Sequence, residues 1–324
     1  MSDQPRLYHV QRADEIQPIV PDALGDHVSG LRRATLVGRD VGAVHTGFAL
    51  VELEPDGWVG THLHSTEQSF YVLEGNPSVV VDGRAYRLAR DECGLLPVGV
   101  PHAWLNRTGK SARWVEMNAP APRLAGPPDT FWTGEPIDHD GDGDGDGDGD
   151  GDGESGVDIR DPRTRTFFRL GSGEMDVDRL KAGAAVDAPT VSASMATALL
   201  AYSGIAVKML VDTRLGAALH TMFMVEYQPG GVAQPHDHPF EETYYMLSGE
   251  VDAVADGEMF TLGPGDVFWT GVGCVHAFYN RGDGRVRWLE TQSPQPPANY
   301  SYRFNRDWDY LAQRLKATNT RGSE

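Results

Sequence analysis

The stretch PHDHPFEETYYMLSG, from Pro235 to Gly249, has a close counterpart earlier in the chain, THLHSTEQSFYVLEG from Thr61 to Gly75. Thr61 thus corresponds to Pro235, and the same constant offset relates residues well outside the two stretches. The segments 31–118 and 205–292 therefore align without a gap. A repeat of this length indicates that one folding unit is used twice in the chain.

Each repeat consists of short β-rich runs separated by turn residues. The runs FYVLEG, SVVVDG, YYMLSG and EVDAVADG are bounded by glycine, asparagine, aspartate or proline at close spacing. This pattern is typical of antiparallel strands joined by tight turns. A barrel or jelly roll would shorten or remove the exposed edges of such strands, so the sequence predicts an all-β fold.

Four residues of the second repeat have the spacing of a metal site. His236 and His238 are two apart, so on a strand their imidazoles point to the same side, and Glu242 follows at even spacing. His276 comes from a later strand and completes the cluster. Three nitrogens and one carboxylate oxygen suit Fe(II), Mn(II), Zn(II), Ni(II) or Cu(II), with room for solvent or substrate.

The corresponding residues of the first repeat are His62, His64, Gln68 and His102. An amide oxygen can coordinate a cation, but Gln68 brings no negative charge. This site is therefore expected to hold a dication more weakly than the second one, or to be degenerate. The neighbouring Glu67 is no substitute, because strand alternation points its side chain to the other face.

Strand alternation also predicts which side chains line the two pockets. In the second repeat these are Tyr244, Met246 and Phe278, and in the first repeat they are Phe70, Val72 and Trp104. For most of these residues a plain core role competes with a substrate-pocket role. Glu242 and Tyr244 are the candidate catalytic residues, while Cys274 is expected to be a small buried filler near His276.

The spacing of these residues resembles the two motifs of the cupin superfamily, G(x)5HxH(x)3-4E(x)6G and G(x)5PxG(x)2H(x)3N. The second repeat departs from them only at Gly271, where the family usually has proline. The resemblance implies two tandem cupin jelly-roll barrels with a few peripheral helices. It also implies that His236, His238, Glu242 and His276 are metal ligands. It does not specify a reaction.

The repeats define the expected domain organisation. We expect an N-terminal barrel over 1–135, a linker over 136–158 and a C-terminal barrel over 159–324. The alternating Asp-Gly run from Asp140 to Gly153 is predicted to be a solvated linker, since glycine entropy and aspartate repulsion oppose a fixed fold. A calcium loop is the alternative, but no flanking helix pair or suitably placed glutamate accompanies the run.

Two segments outside the repeats have helical periodicity, around Asp176 to Tyr202 and from Asp307 to Ala317. We expect them to pack across a barrel or at a subunit boundary, so that a homodimer is one expected assembly.

Composition excludes several classes of partner. The net charge is −19, and nine of the negative charges lie between Asp138 and Glu154, which leaves −10 on the rest of the chain. A surface of this sign repels phosphate backbones and anionic lipids, so neither nucleic acid nor membrane is an expected partner. With two cysteines, no apolar leader and no apolar run long enough to cross a bilayer, the expected location is the cytoplasm.

The sequence favours a metal-dependent enzyme acting on a small organic substrate. An Fe(II)-type dioxygenase, in which the metal brings substrate and O2 together, is placed first. A Mn(II)-type decarboxylase, isomerase or hydrolase is the second hypothesis. A non-catalytic protein that binds or stores a small molecule is the third.

Overall fold

The structure is a computed structural model that describes residues 6–81, 83–124, 129–134, 137, 166–171, 174–176, 190–194, 197–200, 203–295 and 303–304. The chain forms two compact units. The N-terminal unit comprises Glu15–Leu170 and Leu210–Thr221, and the C-terminal unit comprises Met1–Asp14, Gly171–Met209 and Met222–Glu324. The domain boundaries predicted at 135/136 and 158/159 lie outside the described residues and stay predictions.

The N-terminal unit is built from strands β2 to β11. Their bounds are β2 Val28–Val37, β3 Gly47–His64, β4 Glu67–Glu74, β5 Ser78–Val81, β6 Arg84–Arg87, β7 Glu92–Leu96, β8 His102–Leu105, β9 Ala112–Ala119, β10 Thr130–Trp132 and β11 Phe167–Arg169. The sheet order is β11-β7-β4-β9-β3-β8-β5-β6, and β2 and β10 also pair with β3. Because β3 pairs with β2, β8, β9 and β10, it runs through the middle of this curled sheet.

Aromatic side chains fill the interior of the N-terminal unit. Trp104 stacks on Trp114 with ring centroids 4.5 Å apart, and Phe70 meets Trp104 edge to face at 5.0 Å. All three rings are buried within one apolar cluster. Large rings contribute much of the burial that stabilises a barrel of short strands.

The C-terminal unit contains β1 and β12 to β23. Their bounds are β1 Tyr8–Gln11, β12 Thr190–Ser194, β13 Thr197–Leu200, β14 Ile205–Val211, β15 Thr221–Tyr227, β16 Val232–Asp237, β17 Glu241–Ser248, β18 Val251–Ala255, β19 Glu258–Leu262, β20 Val267–Thr270, β21 His276–Tyr279, β22 Val286–Ser293 and β23 Arg303–Phe304. One sheet has the order β1-β20-β17-β22-β15-β14-β13-β12 and the other β19-β18-β21-β16-β23. Residues of both sheets share one apolar core, including Phe268 and Phe278, whose rings meet edge to face at 5.8 Å.

The expected all-β fold with two jelly-roll barrels is confirmed.

The glycine that ends the first metal motif has the same geometric role in both units. Gly75 and Gly249 have φ of 76° and 74°, a region that favours glycine. A Cβ on Gly75 would lie 2.7 Å from the carbonyl oxygen of Ser111, and a Cβ on Gly249 would overlap that of Arg285. Glycine at these positions lets the turn approach the neighbouring strand.

The helical prediction for the segment before the second repeat is wrong over residues 190–194 and 197–200. These residues form β12 and β13, an antiparallel pair that extends the sheet through β14. Hydrogen bonding to the edge of an existing sheet outweighs the weak helical preference of the alanines there. The helices in the described part of the chain are three short 3-10 helices, Ala13–Glu15, Asp22–His27 and Arg39–Val41.

Two other predictions concern residues that the structure does not describe. The Asp-Gly run over 140–153 and the predicted helix over 307–317 lie outside the described residues. Among the residues that are described, none belongs to a helix long and apolar enough to span a membrane.

Candidate metal centres

Three histidines converge inside the N-terminal unit. His62 and His64 lie two apart on β3, and His102 begins β8 directly opposite His62. One ring nitrogen from each residue can lie within 4.8 Å of the others. The ring centroids of His62 and His102 are 4.2 Å apart. Strand alternation and cross-strand register therefore bring these side chains together.

The other ring nitrogen of each histidine is already occupied. Nδ1 of His62 contacts the carbonyl oxygen of Gly60 at 2.7 Å, and Nδ1 of His102 contacts that of Val100 at 2.9 Å. Nδ1 of His64 pairs with the Thr130 hydroxyl at 2.9 Å. Contacts of this kind hold the ring orientation of metal-binding histidines and leave Nε2 for the metal.

Burial keeps the imidazoles of this cluster neutral. It lowers the pKa of His62, and it lowers the pKa of His102 well below the usual value. Burial, followed by the proximity of His62, lowers the pKa of His64 to about 3. Neutral imidazole is the form that binds a metal ion.

Gln68 lies on the adjacent strand with its side chain buried. Within the described part of the chain, neither Oε1 of Gln68 nor Nε2 of His102 has a hydrogen-bond partner. Buried polar atoms without partners are costly, and a cation would satisfy both. This donor set therefore fits a divalent metal ion held by His62, His64, His102 and Gln68.

Glu67 faces away from the histidine cluster. Its carboxylate accepts backbone hydrogen bonds from Ala218 and Leu219 at 2.8 and 3.0 Å and lies 2.7 Å from Nδ1 of His220. It therefore organises the loop before β15.

The C-terminal unit brings three of its four predicted ligands into one group. Ligand atoms of His238, Glu242 and His276 lie within 4.8 Å of one another. Oε2 of Glu242 is 2.6 Å from Nε2 of His238 and 3.4 Å from Nε2 of His276. All three residues are buried. His238 lies between β16 and β17, Glu242 lies near the start of β17, and His276 is the first residue of β21.

His236 stands beside this group and is not part of it. It pairs in register with His276 across β16 and β21, and their ring centroids are 4.3 Å apart. Its ring centroid is 6.2 Å from that of His238. Burial, followed by the charge of His276, lowers the pKa of His236 to about 3, so its imidazole is neutral.

The histidines of the C-terminal unit are oriented as in the first unit. Nδ1 contacts a backbone carbonyl oxygen two residues away in each case: Gln234 at 2.7 Å for His236, Phe240 at 2.7 Å for His238 and Cys274 at 3.0 Å for His276. Three imidazoles oriented by their Nδ1 contacts and one buried carboxylate are a chemically suitable donor set for a divalent transition metal.

Electrostatics in the C-terminal group favour a charged Glu242. Burial alone would raise the pKa of Glu242, but the charge and hydrogen bond of His238 outweigh it and hold that pKa well below the usual range. Burial lowers the pKa of His238, and the Glu242 carboxylate more than reverses this, so the pKa is raised. A carboxylate held ionised in the core is ready to bind a cation.

Two polar side chains hold Glu242 in place. Gln292 donates a 2.6 Å hydrogen bond from Nε2 to Oε1 of Glu242. The Tyr244 hydroxyl donates to Oε2 of Glu242 and lies 2.9 Å from Nε2 of His276. Burial, followed by the charge of Glu242, raises the pKa of Tyr244 well above its usual value, so the phenol keeps its proton.

A cavity of about 420 Å³ adjoins this group inside the C-terminal unit. Two of the four predicted ligands, His236 and Glu242, contribute to its lining. Much of the remaining lining is aliphatic or aromatic, including Ile205, Val207 and Met209 of β14. The cavity can therefore accommodate an organic molecule next to the candidate metal centre.

The predicted pocket residues divide between the cavity and the core. Tyr244 and Phe278 line the cavity, while Met246 is fully buried in the adjoining core. In the N-terminal unit, Phe70, Val72 and Trp104 are buried in the apolar cluster. Cys274 is buried in the C-terminal core, where burial raises the pKa of its thiol to about 12.

Two polar residues of the cavity, Glu290 and Gln292, are not among the site residues predicted from the sequence. They alternate with Trp288 on the inward face of β22, and Glu290 lies opposite Tyr244. Nε1 of Trp288 donates to Oε2 of Glu290 at 3.0 Å. Burial, followed by the charge of Glu242, raises the pKa of Glu290 well above its usual value. The spacing of two along this strand was the signal that could have identified them.

Comparison with known proteins supports this architecture. The cupin domain family matches residues 49–118 and 223–291, within the two repeats. The tetracenomycin polyketide synthase protein TcmJ of Streptomyces glaucescens is 36% identical over 96 residues, which is 29% of this chain and 64% of that protein. The match thus spans less than two thirds of that relative's length.

Solved structures share the fold at low sequence identity. Salicylate 1,2-dioxygenase of Pseudoaminobacter salicylatoxidans has a TM-score of 0.60 at 14% identity, with 89% of this chain and 81% of that chain covered. Oxalate decarboxylase of Lactobacillus farciminis has a TM-score of 0.57 at 16% identity, with 92% and 89% covered.

Both repeats thus match the same domain family, each contains a buried histidine cluster on its barrel strands, and the fold extends over most of the length of solved two-barrel structures. The chain therefore contains two cupin domains, one in each unit.

Proposed function

We propose that this bicupin is a metal-dependent enzyme that acts on a small organic molecule in its C-terminal unit, as an Fe(II)-type dioxygenase. The observation that carries the proposal is the cavity of about 420 Å³ whose lining includes both His236 and Glu242. A substrate held there would lie against the candidate metal centre.

The size and character of the cavity favour a ring compound. Its volume lies in the range of cavities that bind small molecules, which are usually lined by apolar and aromatic side chains. Phe278 and Trp288 are stacked with ring centroids 5.2 Å apart, and both contribute to the lining. An aromatic ring could pack against this pair.

The charge of the cavity argues against a small dianion such as oxalate. The residues that line the described cavity include the carboxyl groups of Glu242 and Glu290 and no lysine or arginine. Apart from the metal ion, a dicarboxylate would meet no cationic side chain there and would lie beside two carboxyl groups. Oxidation of an apolar, hydroxylated ring is therefore favoured over decarboxylation of a small diacid. The partial similarity to TcmJ, which is named for a polyketide, is compatible with a bulky substrate.

The residues that would hold the metal are His236, His238, Glu242 and His276. When bound, Fe(II) would supply redox chemistry toward O2 and Lewis acidity toward a substrate oxygen. The chain itself would orient Glu242 through Gln292 and hold a proton on the Tyr244 hydroxyl. The apolar lining would exclude water from the reacting groups.

The test begins with elemental analysis of protein purified without added metal. Oxygen uptake is then measured on iron-reconstituted protein with a series of hydroxylated aromatic compounds. We expect O2 consumption that depends on both iron and substrate. Fully iron-loaded protein that consumes no O2 with any of them would reject the dioxygenase proposal. Release of CO2 by manganese-loaded protein without O2 uptake would favour a decarboxylase instead.

A further inference from the structure

Glu290 is a buried acid that lines the cavity of the C-terminal unit without a cationic side chain beside it in the lining. It is 7% exposed, it lines the cavity, and its Oε2 accepts a hydrogen bond from Trp288. It also lies within hydrogen-bonding reach of Glu242 and Gln292. The lining of the described cavity contains no lysine or arginine that could pair with it.

The N-terminal unit contains the same acid with a different neighbour. Glu116 accepts a hydrogen bond from Nε1 of Trp114 at 3.2 Å, as Glu290 does from Trp288. In addition, Nε of Arg33 lies 3.4 Å from Oε2 of Glu116. The arginine reaches this carboxylate from β2, so the acid of the N-terminal unit is compensated by a cation within its own barrel.

The repeat alignment identifies the residue that replaces this arginine. Arg33 corresponds to Val207, as Glu116 corresponds to Glu290. Val207 lies on β14 and lines the cavity between Ile205 and Met209. Valine is shorter than arginine and carries no charge, so it neither pairs with Glu290 nor fills the space in front of it.

We infer that Glu290 is a ligand-binding residue that accepts a hydrogen bond from a hydroxyl group of the substrate, and that Val207 is the residue that keeps Glu290 open to it. The inference rests on the proposed function for the location of the substrate, and it adds the group that the substrate must present. The Arg33–Glu116 pair makes the N-terminal unit a poor host for the same molecule.

The chemistry of the ligand follows from these surroundings. Val207 leaves open to the cavity the side of Glu290 that Arg33 covers on Glu116, and a carboxyl oxygen there can accept a hydrogen bond from a hydroxyl group of the ligand. Since Glu290 lies next to Glu242, this hydroxyl should stand close to the ligand oxygen that faces the candidate metal centre. A ring with two adjacent hydroxyl groups has this arrangement.

The test is a binding measurement on the full-length, zinc-loaded protein, in which redox chemistry is absent. Calorimetry compares 2,3-dihydroxynaphthalene with 2-naphthol, which lacks the second hydroxyl. We expect Glu290→Leu to weaken binding of the dihydroxy probe about tenfold, the size expected for one hydrogen bond to an acidic group. The affinity for 2-naphthol should be unchanged, and Glu290→Gln, which retains an acceptor oxygen, should restore most of the difference.

Val207→Arg tests the second half of the inference. It should pair with Glu290 and abolish binding of both probes while the zinc content stays the same. The matched control is Glu116→Leu in the N-terminal unit, which should leave probe binding unchanged. If Val207→Arg does not fold, the two Glu290 variants still decide the assignment of Glu290.

Several outcomes would overturn the inference. They are an equal loss of affinity for both probes in Glu290→Leu, full affinity for the dihydroxy probe in that variant, and no binding of either probe to the unmodified protein. Failure of the dioxygenase proposal would be seen separately, because iron-loaded protein would then consume no O2 while zinc-loaded protein still showed the Glu290-dependent preference.

Discussion

Gln292 donates a hydrogen bond of 2.6 Å from Nε2 to Oε1 of Glu242, so the only carboxylate among the eight predicted metal ligands is held in a fixed orientation. At the corresponding positions the N-terminal unit has Asn118 and Gln68. The shorter Asn118 accepts a hydrogen bond from Thr66 at 3.3 Å, and Oε1 of Gln68 has no partner within the described structure. The two candidate centres therefore differ in both charge and support.

This difference predicts unequal metal retention. During dialysis against a chelator, the N-terminal site should empty first and the C-terminal site should remain filled, because Glu242 adds a charge that Gln68 lacks. Gln292→Leu should weaken the C-terminal site about 10- to 100-fold through loss of the supporting hydrogen bond. Metal content per chain and anomalous scattering at each site provide the measurement. Equal loss from both sites would contradict the charge argument.

Turnover is predicted to depend on the C-terminal centre. His236→Ala removes one nitrogen ligand from the lining of the cavity and should abolish activity along with metal binding there. Glu242→Gln imitates the first site at constant volume and should lower both metal affinity and rate. The matched control, His62→Ala, should reduce stability more than activity. Loss of activity in His62→Ala with full activity in His236→Ala would move the reaction to the N-terminal unit.

The motif glycine at the end of β17 should resist substitution. Gly249→Ala places a Cβ against the carbonyl oxygen of Arg285, whereas Gly257→Ala has a similar φ of +87° and meets nothing within 4 Å. We expect Gly257→Ala to cost about 1 to 2 kcal/mol through backbone conformation alone. Gly249→Ala should cost at least about 1 kcal/mol more because of the overlap. Melting temperatures of the two variants, measured together, test this order. Equal melting temperatures would show that the close approach is relieved at little cost.

The loop contact of Glu67 should give the protein an acid-sensitive contribution to stability. Burial acts to raise the pKa of Glu67, but the hydrogen bond and charge of His220 and the N–H groups of Ala218 and Leu219 outweigh it and lower the pKa. Because the folded-state pKa is lowered, this contribution is complete above the unfolded value of about 4.5 and is lost as pH falls through the folded-state value.

Urea unfolding of the unmodified protein and of Glu67→Gln tests this dependence. Glu67→Gln should be less stable at pH 6, and the gap should narrow below pH 4.5. A gap that stays constant down to pH 3 would contradict the ionic role of Glu67.

Deletion of residues 140–153 should leave the melting temperature nearly unchanged, because the Asp-Gly run has no apolar side chain to bury. Scanning calorimetry with and without calcium provides the measurement. A large loss of melting temperature, or a calcium-dependent gain that the deletion removes, would support the calcium loop instead.

The sequence by itself determined the two-barrel fold and the identity of the histidine clusters. The constant offset between the repeats and strand alternation can both be read along the chain, and they place His62 with His64 and Gln68 on one face before any tertiary contact is known. The helical prediction was wrong over residues 190–194 and 197–200, because pairing with β14 is a tertiary interaction that no local sequence pattern encodes.

Only the tertiary structure revealed the cavity beside the candidate metal centre of the C-terminal unit. Arg33 and Glu116 are far apart in the sequence, and their pairing depends on β3, which holds β2 and β9 on its two sides. Arg33 and Val207 occupy corresponding positions of the two repeats. The sequence does not indicate that this difference matters, because the contacts of the two side chains depend on the tertiary structure. Val207 and Glu290 both line the cavity of the C-terminal unit, whereas in the N-terminal unit Arg33 pairs with Glu116.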